Sequence, residues 1–389
     1  MQTPVKFSGS HFSAALATIL VAYGSSAVIL YKAAVAFGAT PVQINSWFTI
    51  MAICCGVLTL VASLRYKMPI MYAWCTPGAA LMVGVTGVSL PQAISAFMFA
   101  SLLMLLVSSL GLFSRLVKMV PSTLASAMLA GVLLNFGIGV FHAMQQQLLL
   151  VLSMLFAYFI SKLFVPKFSI LFMLCVSVLM AVWLDLFSLQ QLHWVNPSIV
   201  WVTPEWHFAS MISVGIPLFI ATLATQNVPG MAVLKSYGYQ PPTTTLVNGS
   251  ALTTIFGAPL GVFTINLAAI SAAICMEKSV DPDANKRYLA TVILAGFYFL
   301  MACFGGMVVA LFTALPMELL LAFAGIAIFS TLQSNIVATW HDEITREASL
   351  MTLLITASGM TLWGVGSAFW GLLFGLLVYH FNHYTSKKA

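Results

Sequence analysis

The chain has 389 residues, 61% of them hydrophobic and only 6% charged, with a formal net charge of +6. A soluble domain carries about 25% charged residues, so the composition excludes a soluble globular fold and places the chain in a bilayer. The positive excess is scattered over short loops with no basic face and no recognition motif, which excludes nucleic acid as a partner.

Apolar runs long enough to cross a hydrocarbon core, about 17–25 residues each, recur along the whole chain. They fall at 11–37, 42–64, 69–88, 91–111, 120–141, 146–165, 168–187, 207–230, 241–257, 259–276, 288–312, 316–336, 347–365 and 367–384. The expected fold is an all-α polytopic membrane protein of about 14 spans. The first run is too long for a signal peptide. The six cysteines all lie inside apolar runs without CxxC spacing, so they form no disulfide framework.

The basic residues test the span count. Lys6 precedes span 1, Arg65 and Lys67 follow span 2, and Arg115 and Lys118 follow span 4. Lys162 and Lys167 flank the connection of spans 6 and 7, and Lys235 follows span 8. Lys278, Lys286 and Arg287 follow span 10, Arg346 follows span 12, and Lys387 and Lys388 end the chain. Fourteen of the 15 thus share one side, which the positive-inside rule makes cytoplasmic together with both termini. Lys32 alone sits at the far end of span 1, where a lysine can snorkel to the interface.

Spans 3 and 10 each carry a proline break, Thr76-Pro77-Gly78-Ala79 and Ala258-Pro259-Leu260-Gly261, that reads as an extended segment turning into a half-helix near mid-membrane. The residue before a proline is pushed toward extended backbone, Thr is a good N-cap, and Pro suits the first helical position. Residues 69–76 are therefore expected to be extended, with Thr76 capping a half-helix. In span 10, residues 261–264 are expected to be extended, with Thr264 capping a half-helix that begins near Ile265. Two half-helix N-termini would then face each other at mid-membrane and offer unpaired N–H groups to an anion. The alternative is that each proline merely kinks a continuous helix.

Related features recur seven spans apart. Ala39-Thr40-Pro41 follows span 1 as Gln240-Pro241-Pro242 follows span 8, and Pro121 with Ala130-Gly131 matches Pro316 with Ala324-Gly325. An odd number of spans per half makes the copies antiparallel, so an inverted repeat is expected, residues 1–188 and 207–389 joined by a hinge loop at 189–206. Paired broken spans in such halves mark a transporter binding site.

Polar candidates gather at the breaks. Gln226 and Asn227 precede Pro229-Gly230 in span 8 and correspond by the repeat to Tyr23-Gly24-Ser25-Ser26 in span 1. Buried amides in a membrane face a cavity or a partner helix. Tyr23, Trp74 and Phe263 are candidate ring contacts for an aromatic ligand, with plain packing as the alternative. The expected binding set is Tyr23, Ser25, Thr76, Pro77, Gly78, Ala79, Gln226, Asn227, Phe263, Thr264 and Asn266. All nine acids lie in loops or at span ends, so no carboxylate stands at mid-membrane to carry a proton. No zinc, nucleotide or nucleophile-elbow motif occurs, so neither a metal, a cofactor nor an enzyme is expected.

The stretches Ala73-Trp74-Cys75-Thr76-Pro77-Gly78-Ala79-Ala80, Ala224-Thr225-Gln226-Asn227-Val228-Pro229-Gly230 and Asn266-Leu267-Ala268-Ala269-Ile270 resemble the benzoate/proton symporter family of bacteria. So does Ala357-Ser358-Gly359 followed by residues 364–371. The resemblance covers nearly the whole chain, and that family is similar in architecture to nucleobase–ascorbate and anion-exchanger transporters. It implies seven-plus-seven inverted repeats, a core domain of spans 1–4 and 8–11, a gate domain of spans 5–7 and 12–14, and elevator-like alternating access. It also implies uptake of a benzoate-like aromatic carboxylate with a proton. The nucleobase relatives carry an acid where this chain has an amide, in the stretch of Gln226 and Asn227. Proton coupling therefore rests on the resemblance alone, since a weak acid can carry its own proton. An uncoupled facilitator for small anions, or a carrier of nucleobase-like or other weak acids, is the alternative. The expected partners are the carboxylate, the proton, the bilayer of the bacterial inner membrane and a second copy through the gate domain.

Overall fold

The structure, a computed structural model, describes residues 7–112, 121–188, 194–268, 270–363 and 365–386. Lys6, Arg115, Lys118, Lys387, Lys388 and residues 189–193 of the expected hinge lie outside the described residues. In chain order the first half has α1 (Gly9–Ala36), α2 (Pro41–Tyr66), β1 (Tyr72–Trp74), α3 (Thr76–Val83), α4 (Leu90–Ser109), α5 (Ser122–Gln146), α6 (Leu148–Phe164) and α7 (Ser169–Trp183). The second half opens with α8 (Phe208–Ser236), α9 (Thr243–Gly257), β2 (Ile265–Leu267), α10 (Ile270–Met276) and α11 (Tyr288–Cys303). It continues with α12 (Gly305–Ala314), α13 (Met317–Ala327), α14 (Phe329–Thr339), α15 (Arg346–Ala357), the hairpin β3–β4 (Thr361–Leu362, Val365–Gly366) and α16 (Ser367–Ser386).

Among the described residues, six helices are long and apolar enough to cross a bilayer alone: α1, α2, α4, α5, α8 and the 284–303 helix that contains α11. Shorter or broken helices make up the rest. Spans 11 and 12 differ from expectation: each is two helices, split at Phe304 and at Ile328, and α12 meets α13 at 114°. The first split precedes Gly305-Gly306, where a side chain on Gly306 would collide with the carbonyl of Val195.

Local chemistry explains the helix starts. Thr40 caps α2 in a capping box with Gln43, and Pro41 occupies the first turn. Helix α8 carries two π-helical stretches, Met211–Gly215 and Leu223–Asn227, each just ahead of a proline, Pro217 and Pro229. A proline has no N–H to give and crowds the carbonyl four residues back; the wider π turn accommodates both effects.

Helix α2 lies along α11 and α12, and α4 along α9, while α5 packs on α13, α14 and α15, and α15 on α16. Small residues let these axes approach: a Cβ on Gly131 of α5 would strike the carbonyl of Leu353 and the side chain of Thr356. Large apolar side chains face outward, with Leu163 80%, Phe164 79% and Phe256 74% exposed, a surface for lipid.

The two ends of the bundle are distinct. At one end, residues 194–206 are bonded along much of their length rather than forming a free hinge. Asn45 Nδ2 donates to Asn196 O at 2.8 Å, Val200 N to Ser46 Oγ at 2.9 Å, Val202 N to Pro259 O at 2.8 Å and Glu205 N to Pro91 O at 3.1 Å. At the other end His11 meets Asp281 at 3.3 Å, Lys67 Nζ donates to Tyr288 Oη at 3.3 Å, and Tyr239 Oη donates to Ala284 O at 2.8 Å. The start of α1, the end of α2 and the start of α11 therefore share the end that carries Lys67 and Arg287.

Candidate functional site

At the heart of the bundle β1 and β2 pair antiparallel, with Tyr72 opposite Leu267, Ala73 opposite Asn266 and Trp74 opposite Ile265. Cys75 N donating to Thr264 O at 3.0 Å and Ala268 N donating to Met71 O at 2.9 Å extend the ladder. A chain that leaves helical form inside a bilayer must find partners for its backbone polar groups, and this ladder supplies them. Both strands precede their helices and run in opposite directions. Thus α3 and α10 leave the ladder at opposite ends, each with its N-terminus toward it. Spans 3 and 10 are broken, not kinked.

Side chains complete the ladder. Tyr72 N donates to Thr59 Oγ1 at 3.0 Å, and Tyr298 Oη donates to Tyr72 O at 3.0 Å. Ile265 N donates to Thr254 Oγ1 at 3.1 Å, and Leu267 N to Asn227 Oδ1 at 3.1 Å. Asn266 is fully buried. Its amide satisfies both neighbours in one orientation, with oxygen 2.9 Å from Cys75 N and nitrogen 3.0 Å from Leu267 O.

Two registers differ from expectation. The cap of α3 is Cys75, whose Sγ accepts from Gly78 N at 3.2 Å, and Thr76 is already helical. Because Thr264 O holds the Cys75 N–H in the ladder, the helix starts after Cys75. In span 10 the strand runs on through Leu267, so Thr264 caps nothing and Asn266 is a strand residue rather than a half-helix start. Asn227 anchors Leu267 N and Thr254 anchors Ile265 N, which keeps these residues extended.

Among the other expected residues, Pro77, Gly78 and Ala79 form the buried first turn of α3. A Cβ on Gly78 would stand 2.5 Å from Leu218 Cδ1, so α8 covers this turn closely. Tyr23 meets Trp74 edge-on at 4.9 Å, and its buried hydroxyl has no hydrogen-bond partner among the described residues. Trp74 Nε1 donates to Ser26 Oγ at 3.0 Å. Ser25 lies on α1, with its side chain outside the described part. Gln226 is half-buried on the second π stretch of α8. Phe263 is a packing residue: fully buried, it stacks on Trp47 at 6.4 Å and stands edge-on to Phe97 at 5.1 Å.

Sequence reasoning missed a cavity of about 240 Å³ at the C-terminal end of α3, lined by Lys32, Thr86, Asn135, Ser213 and Thr356 among others. Lys32 does not snorkel to the interface. It is only 8% exposed and lines this cavity. The signal was its isolation, as the one cation apart from the other 14.

The architecture is that of a multi-pass membrane protein with paired broken spans, and solved structures share its fold. The chain superposes on the transmembrane domain of the cyanobacterial bicarbonate transporter BicA with a TM-score of 0.55 at 14% identity, covering 95% of this chain and 96% of that one. It superposes on SLC26A9 with a TM-score of 0.60 at 11% identity, covering 96% of this chain and 65% of that one. The family described as benzoate membrane transport protein matches residues 5–381, and the chain belongs to that family. It is 37% identical over 369 residues to the inner membrane protein YdcO of Escherichia coli, covering 93% of each chain. It is 35% identical over 362 residues to the benzoate membrane transport protein of Acinetobacter baylyi, covering 93% of this chain and 92% of that one. The protein is thus a membrane transporter and not an enzyme.

Proposed function

We propose that the protein carries a benzoate-like aromatic monocarboxylate into the cell together with a proton. The observation that carries this reading is the β1–β2 ladder, from which α3 and α10 depart in opposite directions. Each half-helix N-terminus bears about half a positive charge; set at the two ends of one short ladder, they suit a carboxylate beside it without any basic side chain. A 35% identical relative named a benzoate transport protein supports an aromatic acid, and Tyr23 and Trp74 supply rings beside the ladder.

In this reading the halves form a seven-plus-seven inverted repeat, supported by the antiparallel ladder. Spans 1–4 and 8–11 are the core, and spans 5–7 and 12–14 the gate, supported by the packing of α2 on α11 and of α5 on α13 to α15. The core moves against the gate as an elevator, and two copies associate through the gate. Both termini face the cytoplasm across the inner membrane, supported by the shared end of Lys67, Arg287 and the start of α1. A cysteine placed in 194–206 is then labelled from outside and one at Lys67 is not; the reverse pattern overturns this topology. A second reading, an uncoupled facilitator, is favoured by the lack of any carboxylate in the ladder among the described residues.

Uptake of labelled benzoate into proteoliposomes under an imposed pH gradient tests both readings. Accumulation above equilibrium that collapses with a proton uncoupler supports symport. Simple equilibration supports the facilitator. Nucleobase uptake without benzoate uptake overturns the substrate class.

A further inference from the structure

The 240 Å³ cavity is a site of its own. Five residues of α3, 76–80, separate the cap Cys75 from Leu81, the first of the residues 81 and 83–86 that form one of its walls, a rise of roughly 9 Å. Its rim is exposed at Thr86, Asn135 and Thr361, while its floor holds Lys32, Ser213 and Thr356, which are 8%, 4% and 2% exposed. The hydroxyls of Ser213 and Thr356 have no hydrogen-bond partner among the described residues. Lys32 has no hydrogen bond or ion pair with any described residue.

A lysine so deeply placed in a membrane protein is costly without a counter-charge. The C-terminal end of α3 supplies at most about half a negative charge nearby, too little to neutralise a full ammonium. The volume is that of roughly eight waters, comparable in bulk to a single-ring carboxylate. Its residues come from α1, α3 and α8 on one side and from α5, α13, α15, α16 and the β3–β4 hairpin on the other, so it lies between the two packing groups.

We propose that this cavity is a holding site for a monocarboxylate, with Lys32 as the counter-ion, occupied before the acid reaches the ladder. The proposal rests on the carboxylate-transport reading above. The carboxylate lies against the Lys32 ammonium and the ring fills the apolar wall of Leu81 and Val132.

The test compares Lys32→Gln and Lys32→Arg in initial-rate benzoate uptake, with inhibition by benzamide, a neutral ligand of the same shape, measured alongside. Lys32→Gln should raise the benzoate KM about tenfold, the loss of one charge-assisted hydrogen bond, and leave the saturated rate and the benzamide inhibition constant unchanged. Lys32→Arg should stay near wild type. An unchanged benzoate KM in Lys32→Gln, or equal weakening of benzoate and benzamide, overturns the holding site and leaves the ladder reading intact. Absence of benzoate uptake by the wild type removes both. If Lys32→Gln does not fold, Asn135→Cys at the rim decides, with the exposed Cys175 and Cys303 replaced. Benzoate should slow its labelling by a polar maleimide where benzamide does not, and equal or no protection overturns the site.

Discussion

In span 3, Pro77 is the second residue of α3, and the chain passes from strand to helix through Cys75 alone. In span 10, Pro259 sits in a 3₁₀ turn six residues before β2, and the helix begins only at Ile270. The same residue type opens a helix in one span and closes the preceding turn in the other. A proline therefore marks that helical bonding stops nearby. Where the helix resumes is set by the N–H groups that the opposite strand and its flanking side chains have claimed: Cys75 by Thr264 on one side, Leu267 by Asn227 on the other.

The sharpest way to break this comparison is through Asn266, which bonds to both sides of the ladder. Asn266→Asp places a carboxylate against the Leu267 carbonyl at full burial, a cost of several kcal/mol. Uptake should fall by at least about a hundredfold, with a marked loss of folded protein in detergent. Asn266→Ala removes both bonds without adding charge, about 1–3 kcal/mol, and should keep measurable uptake. Equal melting temperatures for the two variants would show that Asn266 does not hold the ladder.

A smaller contrast lies in the side chains expected to cap the half-helices. Cys75 does cap α3, so Cys75→Ala should cost about 1 kcal/mol, while Cys75→Ser, a stronger cap, should match or exceed the wild type in thermal stability. Thr264 caps nothing, and its buried hydroxyl has no partner among the described residues. Thr264→Ala therefore loses no bond and should be neutral or stabilising. A drop in Tm as large as that of Cys75→Ala would show that the two spans are held alike.

Much of this was legible in the sequence because it rests on rules local to the chain. The broken spans announced themselves through Pro77 and Pro259, and the end shared by Lys67 and Arg287 through their common sign. The register of the breaks was not legible. It depends on Thr254, Asn227 and Tyr298, which reach the ladder from elsewhere in the chain. Phe263 read as a ligand contact because its partners, Trp47 and Phe97, are distant in sequence. Gly78 read as one of the binding residues, whereas its missing Cβ admits Leu218. Lys32 was visible as an exception but not as a cavity wall, because the cavity is assembled from helices far apart in the chain, from α1 to α16.

The smallest expected effect is the most pointed, because the sequence alone argues for a large one. From the sequence, Pro77→Ala frees Thr76 to become helical and lets α3 grow backward, closing the N–H groups offered to the substrate. In the structure Thr76 is helical already, and the next residue back, Cys75, is fixed by Thr264 O and the Asn266 amide. Growth of the helix would have to break the ladder first. At the second helical position a proline gives up no intrahelical hydrogen bond, so the change mainly loosens the unfolded chain, about 0.4–1 kcal/mol. Pro77→Ala should therefore keep uptake within a few-fold of wild type and shift Tm only slightly. Pro259→Ala, which relaxes a turn ahead of the strand, should do the same. Abolished uptake in Pro77→Ala with normal folding would mean that the ring itself, and not the ladder, keeps the N-terminus of α3 open.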